Sequence, residues 1–135
     1  MPDMGCSLGF DFGSHKIGIA VGQSITATAT PLTTLSYVKH KPDWDGIERI
    51  ISEWKPDTLV IGLPYQMDDE EAELASRAKK FARQLHGRYR LPVEMVDERL
   101  TSREASDRLG KKAGKDVTLV DSMAAKLILE TWLNK

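Results

Sequence analysis

A chain of 135 residues, 41% hydrophobic and 29% charged, is read as a single domain over 1–135 with apolar material for a core of its own. The lone cysteine, Cys6, excludes a disulfide framework and a thiolate metal site and fits a reducing compartment. No stretch approaches the ~20 apolar residues of a membrane span, MPDMGCS lacks the basic and apolar regions of a secretion signal, and a formal net charge of −1 argues against indiscriminate nucleic-acid binding, so a cytoplasmic protein that does not enter membranes is expected.

LGFDFGSHKIGIAVG, residues 8 to 22, reads with period two. Leu8, Phe10 and Phe12 share one face, joined after a turn at 13–16 by Ile17, Ile19 and Val21, which predicts a β-hairpin. The other face carries Gly9, Asp11 and Gly13, then Gly18, Ala20 and Gly22, so Asp11 projects from a surface with almost no neighbouring side chains. Strand glycines contribute no packing, and a run of them suggests close approach by a ligand, a metal or another backbone. A bulged, turn-adjacent strand with a solvated aspartate is the competing reading, and the hairpin alone does not separate the two.

A third strand is predicted over Pro31 to Val38, at a sheet edge because of its proline. DWDGIERIISEW predicts a helix opening at Asp43, with Trp44, Ile47, Ile50 or Ile51, and Trp54 at helical spacing. TLVIG, residues 58 to 62, reads as a strand buried on both faces. From Asp69 to about Tyr89 the stripe Leu74, Ala78, Phe81, Leu85 marks a long amphipathic helix. LPVEMVDE supplies a strand ending at Asp97-Glu98, Thr101 and Glu104 form a capping box for a short helix to about Leu109, and Thr118 with Asp121 start a last helix to Leu133. Three leading strands join as an antiparallel meander, and the next two, each reached through a helix, add in parallel. The expected architecture is a mixed five-stranded α/β sheet with helices on both faces and strands one and four side by side in the centre.

Charge is unevenly spread. Residues 68–73 hold five acids, residues 77–90 hold six bases and no acid, and residues 99–115 hold six bases against two acids. Such basic stretches set up the local field that phosphates respond to, although each taken singly also suits a solvated helix face. Arg77, Lys80 and Arg88 share one helix face, and Lys111, Lys112 and Lys115 fall in the loop GKKAGK; both groups are candidate phosphate contacts. Lys16 and Arg99 are two more. The three histidines have no metal-ligand spacing and receive no role.

Asp11 on strand one, Glu98 at the end of strand five and Asp121 in the first turn of the last helix are the acids able to converge. Held together without a basic partner they repel, and a divalent cation removes that conflict; oxygen-only ligation suits Mg²⁺ or Mn²⁺. Taken singly, Glu98 can simply end a strand and Asp121 can serve the helix dipole.

LGFDFGSHKIGIAVG, VIGLPYQMD, VDERLTSREA and VDSMAAKLILETWL, in that order over nearly the whole chain, resemble the four signature blocks of the YqgF/RuvX group of RNase H-like nucleases. The resemblance implies an RNase H-like fold with strand order 3-2-1-4-5 and strand 2 antiparallel, and acidic catalytic and metal-binding residues at Asp11, Glu98 and Asp121. It also implies hydrolysis of phosphodiesters with Mg²⁺ or Mn²⁺, as two ions, in 5′-end maturation of pre-16S rRNA. Nucleic acid is then the partner, pre-rRNA ahead of branched DNA, with ribosomal precursor particles as a further candidate and a monomer or weak homodimer as the assembly. The chain departs from the family pattern at Ser14-His15-Lys16 and at Gln66 to Asp69, which leaves the acids untouched and bears on substrate preference. The alternatives are a Holliday junction resolvase acting on four-way DNA and a non-catalytic RNA-binding module, the latter disfavoured by retention of all three acids.

Overall fold

In the computed structural model, residues 5–13, 15–63, 69–97 and 117–134 are described, residues 63, 69–71, 97 and 117–121 of them by their backbone. Strands β1 (Cys6–Phe12), β2 (Lys16–Gln23) and β3 (Thr28–Ser36) come first, followed by α1 (Trp44–Trp54), β4 (Thr58–Leu63), α2 (Asp69–Tyr89), β5 (Val93–Asp97) and α3 (Val117–Leu133). The strands form one sheet in the order β3-β2-β1-β4-β5. β1 pairs antiparallel with β2 and parallel with β4, which pairs parallel with β5.

The two faces of this sheet differ as the hairpin periodicity predicts. On one, Leu8, Phe10, Phe12, Ile17, Ile19, Leu59 and Ile61 pack with Ile47 of α1 and with Ala78, Phe81 and Leu85 of α2. Phe10 and Phe81 meet edge to face with centroids 5.7 Å apart, a geometry that adds to the ~1.5–3 kcal/mol each such side chain contributes by leaving water. α1 starts where predicted because the Asp43 carboxylate accepts the Gly46 N–H at 3.0 Å. On the other face Ala20 and Val60 pack with Ala125, Ile128 and Leu129 of α3. Helices therefore cover both faces.

Three boundaries differ from the sequence reading. β3 runs over Thr28–Ser36 rather than Pro31 to Val38, because Ala29 and Thr30 already pair with Gly22 and Val21. Pro31 sits where the register slips, between the pairs Ile19↔Thr33 and Ala20↔Pro31, a bulge that spares the proline a ladder donor. Val38 instead bridges Lys41. The described α3 starts at Val117, so Thr118 lies inside it, and Asp121 is its fifth residue rather than part of the first turn. The predicted helix over 101–109 lies outside the described residues.

Candidate active site

Asp11 occupies the second-to-last position of β1, the central strand, and only 9% of it is exposed, which removes the reading of a solvated aspartate. Its register partners are Gly18 on β2 and Gly62 on β4, so neither adjacent strand places a side chain beside the carboxylate.

What approaches the glycine face is α3. A Cβ on Gly9 would stand 3.0 Å from the Ala125 carbonyl oxygen and 3.0 Å from Leu129 Cβ, and one on Gly22 would stand 2.8 Å from Leu129 Cδ2 and 3.0 Å from Leu133 Cδ1. At Gly9 glycine lets the helix backbone lie directly on the sheet, and at Gly22 it makes room for the leucine side chains of the same helix. The contacts also fix the helix direction: Leu133 lies over the start of β1, where Gly22 pairs with Ser7, and Ala125 lies over Gly9, so α3 runs antiparallel to β1. Asp121 is one turn before Ala125, about 6 Å along the helix axis, and Asp11 is two residues beyond Gly9, about 6.6 Å along the strand. With Leu133 towards the start of β1, the Asp121 turn of α3 lies towards the carboxyl end of the sheet's central strand, the end that carries Asp11.

On the other side of β1, Asp11, Gly62 and Val96 form one row across β1, β4 and β5, and Leu63 pairs with Asp97 in the next row. The carboxyl end of β5 is thus two strand spacings, about 10 Å, from Asp11. Glu98, the next residue in sequence, lies outside the described residues, as do Arg99, Lys111, Lys112, Lys115, Ser14 and 64–68 of the second loop. Among the described residues no three His, Cys, Asp or Glu side chains group to hold a metal ion.

Of the basic candidates, Lys16 begins β2, half-buried, and its carbonyl accepts the Gly13 N–H at 3.0 Å across the turn. Arg77 is half-buried on α2, with its guanidinium 5.8 Å from the Phe12 ring centroid and 5.7 Å from that of Tyr37. Arg88 stacks at 4.0 Å over Trp44, joining the two helices of that face, and Lys80 is exposed between them in sequence.

Tyr37 is a residue the sequence reading missed. Its hydroxyl donates to the Gly13 carbonyl at 2.5 Å, and its N–H donates to the His15 carbonyl at 3.1 Å, so it ties the β1–β2 turn to the end of β3. Burial pushes the phenol up to about 12, partly offset by Arg77, which keeps it a donor at neutral pH. No spacing signal marks it, since its partners come from a turn more than twenty residues earlier.

A 3-2-1-4-5 sheet with an antiparallel second strand, helices on both faces and an acid near the end of the central strand is the RNase H-like fold. Two solved structures share it: T. thermophilus RuvC in complex with a Holliday junction substrate, at TM-score 0.56 and 16% identity over 96% of this chain and 93% of that one, and the fowlpox virus Holliday junction resolvase, at TM-score 0.58 and 12% identity over 96% and 97%. At such identities the likeness is one of fold. The profile of the RuvX family, described as Holliday junction resolvase, matches residues 5–135, and the chain belongs to that family. Relatives named "Putative pre-16S rRNA nuclease" are similar over nearly their full length: one from Saccharophagus degradans is 54% identical over 128 residues, 93% of this chain and 90% of the relative. Another, from Pseudomonas putida, is 48% identical over 137 residues, 98% of this chain and 97% of the relative. Among the described residues no helix is long and apolar enough to cross a membrane.

Proposed function

We propose that this protein is a divalent-metal-dependent endonuclease that hydrolyses a phosphodiester bond of precursor 16S rRNA in maturing its 5′ end, acting in the cytoplasm on ribosomal precursor particles. The observation that carries the reading is Asp11: a carboxylate near the carboxyl end of the central strand, flanked in register by Gly18 and Gly62 and backed by α3. Membership of the RuvX family and the names of relatives about half identical to this chain support the reaction and the substrate.

The donor chemistry fits a hard cation. Asp11, Glu98 and Asp121 offer carboxylate oxygens alone, the ligand set that Mg²⁺ and Mn²⁺ prefer. When bound, such an ion supplies Lewis acidity to the phosphoryl oxygens and lowers the pKa of a bound water. The chain's own part is placement: β1 holds Asp11 rigidly between two glycines, and α3, seated on Gly9 and Gly22, fixes how far Asp121 stands from it. Glu98 follows the carboxyl end of β5 and is assigned the third acid. Exposed Lys80 and the basic residues of 99–115 would attract the substrate backbone before it reaches the acids.

A resolvase reading has specific support in the description of the family and in the two structural neighbours. It requires paired cuts in a four-way junction, and hence two active sites acting together. Depletion of the protein in its host tests the first reading: small-subunit rRNA with an untrimmed 5′ end should accumulate and be cleared by a wild-type copy. Normal rRNA ends together with symmetric nicking of a DNA junction by a dimer would replace it with the second.

A further inference from the structure

Beyond the acids, one feature of the fold brings basic side chains together, and among the described residues no carboxylate lines it. His15, Tyr37, Lys39, His40 and Arg77 line an open cleft of about 490 Å³ at the β1–β2 turn. Phe12, next in sequence to Asp11, packs on Tyr37 with centroids 6.1 Å apart, and Arg77 covers both rings. Phe12 and Asp11 point to opposite faces of β1, so the cleft and the acid share one end of the sheet on its two sides. The turn carrying His15 extends two to three residues beyond Asp11, roughly 7–10 Å along the strand direction.

The backbone at this cleft is strained. Lys39 and His40 have φ of 52° and 67°, and Val38 and Lys41 on either side exchange backbone hydrogen bonds of 2.8 and 3.0 Å. This is a two-residue hairpin turn with both central residues in the left-handed region, a conformation for which Asn-Gly is the favoured sequence. A lysine there opposes local preference, and Lys39 and His40 are the two turn residues that line the cleft. The turn thereby holds the Lys39 and His40 side chains at the cleft beside Arg77 and His15.

We propose that this cleft is a second contact site for the nucleic-acid strand, in which Lys39, His40, His15 and Arg77 hold a phosphodiester further along the strand from the one to be cut. The inference rests on the nuclease reading and deepens it, since it assigns the path of the substrate across the sheet end. The Tyr37 hydroxyl is committed to the Gly13 carbonyl, so Tyr37 positions the turn while the four nitrogen-bearing side chains face the anion.

The test uses the full chain, a short labelled single-stranded RNA, and chelator to prevent cutting. In the double variant Lys39→Asn, His40→Gly the turn receives its favoured sequence, so Tm should rise by about 5 °C. At the same time RNA affinity should fall about tenfold, and the log–log salt slope should drop by roughly 0.7 for the lysine lost. Arg77→Met, which keeps an apolar stem over the rings, should lower the slope by a similar amount. RNA binding with wild-type affinity and slope in both variants would overturn the cleft and leave the nuclease reading standing. A cleft-dependent slope in a protein that, in separate incubations with Mg²⁺ or Mn²⁺, cuts no nucleic acid would overturn the nuclease reading and keep the cleft as a binding site, and wild-type protein that binds no RNA in chelator would overturn the cleft.

Discussion

Gly9→Ala tests whether the seating of α3 on β1 sets the geometry of the acids. The added methyl would stand 3.0 Å from both the Ala125 carbonyl oxygen and Leu129 Cβ, atoms that cannot swing aside, so the helix itself must move by a few tenths of an ångström. Overpacking of this kind costs about 1–3 kcal/mol. In a chain of this size, that lowers Tm by roughly 3–5 °C for each kcal/mol. Asp121 lies one turn further along the displaced helix, and small misplacements at reacting groups are expensive, so kcat should fall about tenfold at a temperature where the variant is fully folded. Gly22→Ala is the control. Its methyl meets only side-chain atoms, of Leu129 and Leu133, which can turn without moving the helix, so it should cost less than Gly9→Ala and change kcat by less than about threefold. Differential scanning calorimetry and single-turnover cleavage supply the two numbers. An unchanged Tm for Gly9→Ala would refute the close seating of α3, and equal kcat losses in both variants would refute the link from that seating to the acids.

Tyr37→Phe deletes the hydroxyl that donates to Gly13 and should cost about 1 kcal/mol in urea denaturation at neutral pH. Because burial raises this phenol from its ordinary 10 to about 12, its share of stability is complete below pH 10 and is lost as pH rises through 12. The variant should show a shallower alkaline fall than wild type, keeping the contribution of Tyr89, whose phenol burial also raises; identical alkaline curves would refute the assignment. Lys80→Glu, at an exposed position on α2, should weaken RNA binding and reduce the salt slope by at least roughly 0.7, whereas an unchanged slope would make that face merely solvated. Arg88→Gln should cost about 0.5–1 kcal/mol through its lost stacking on Trp44, read as a lower urea midpoint, and no change would show the stack to be idle.

The elements were legible where periodicity is strong. The stripe from Leu74 to Leu85 matches the buried side of a helix observed over Asp69–Tyr89, and Asp43 caps α1 as its position implies. The glycine face was legible as a place of close approach, but composition could not say what approaches. Helix, metal and ligand all demand the absence of a Cβ, and only the contacts of Gly9 and Gly22 with α3 assign them to a helix. Asp11 is one step beyond that contact zone, which is why one pattern of small residues served two purposes. The cleft was illegible because its residues come from a turn, a strand end, a strained hairpin and a helix, which only the fold brings together. Lys39 and His40 carry no signal of positive φ in their identities, so the tight turn at 38–41 was hidden as well.

If Asp11 carries the chemistry rather than the packing, Asp11→Asn should end cleavage and leave the fold intact. Purified wild type and variant are incubated with precursor 16S rRNA, unrelated single-stranded RNA and a four-way DNA junction, in Mg²⁺, in Mn²⁺ and in chelator, with circular dichroism confirming the fold of each. Wild type should cleave the precursor in either metal and not in chelator, and the variant should lose at least about a thousandfold while its Tm stays within a few degrees of wild type. Full activity in folded Asp11→Asn, or equal cleavage in chelator, would refute a metal-dependent role for Asp11.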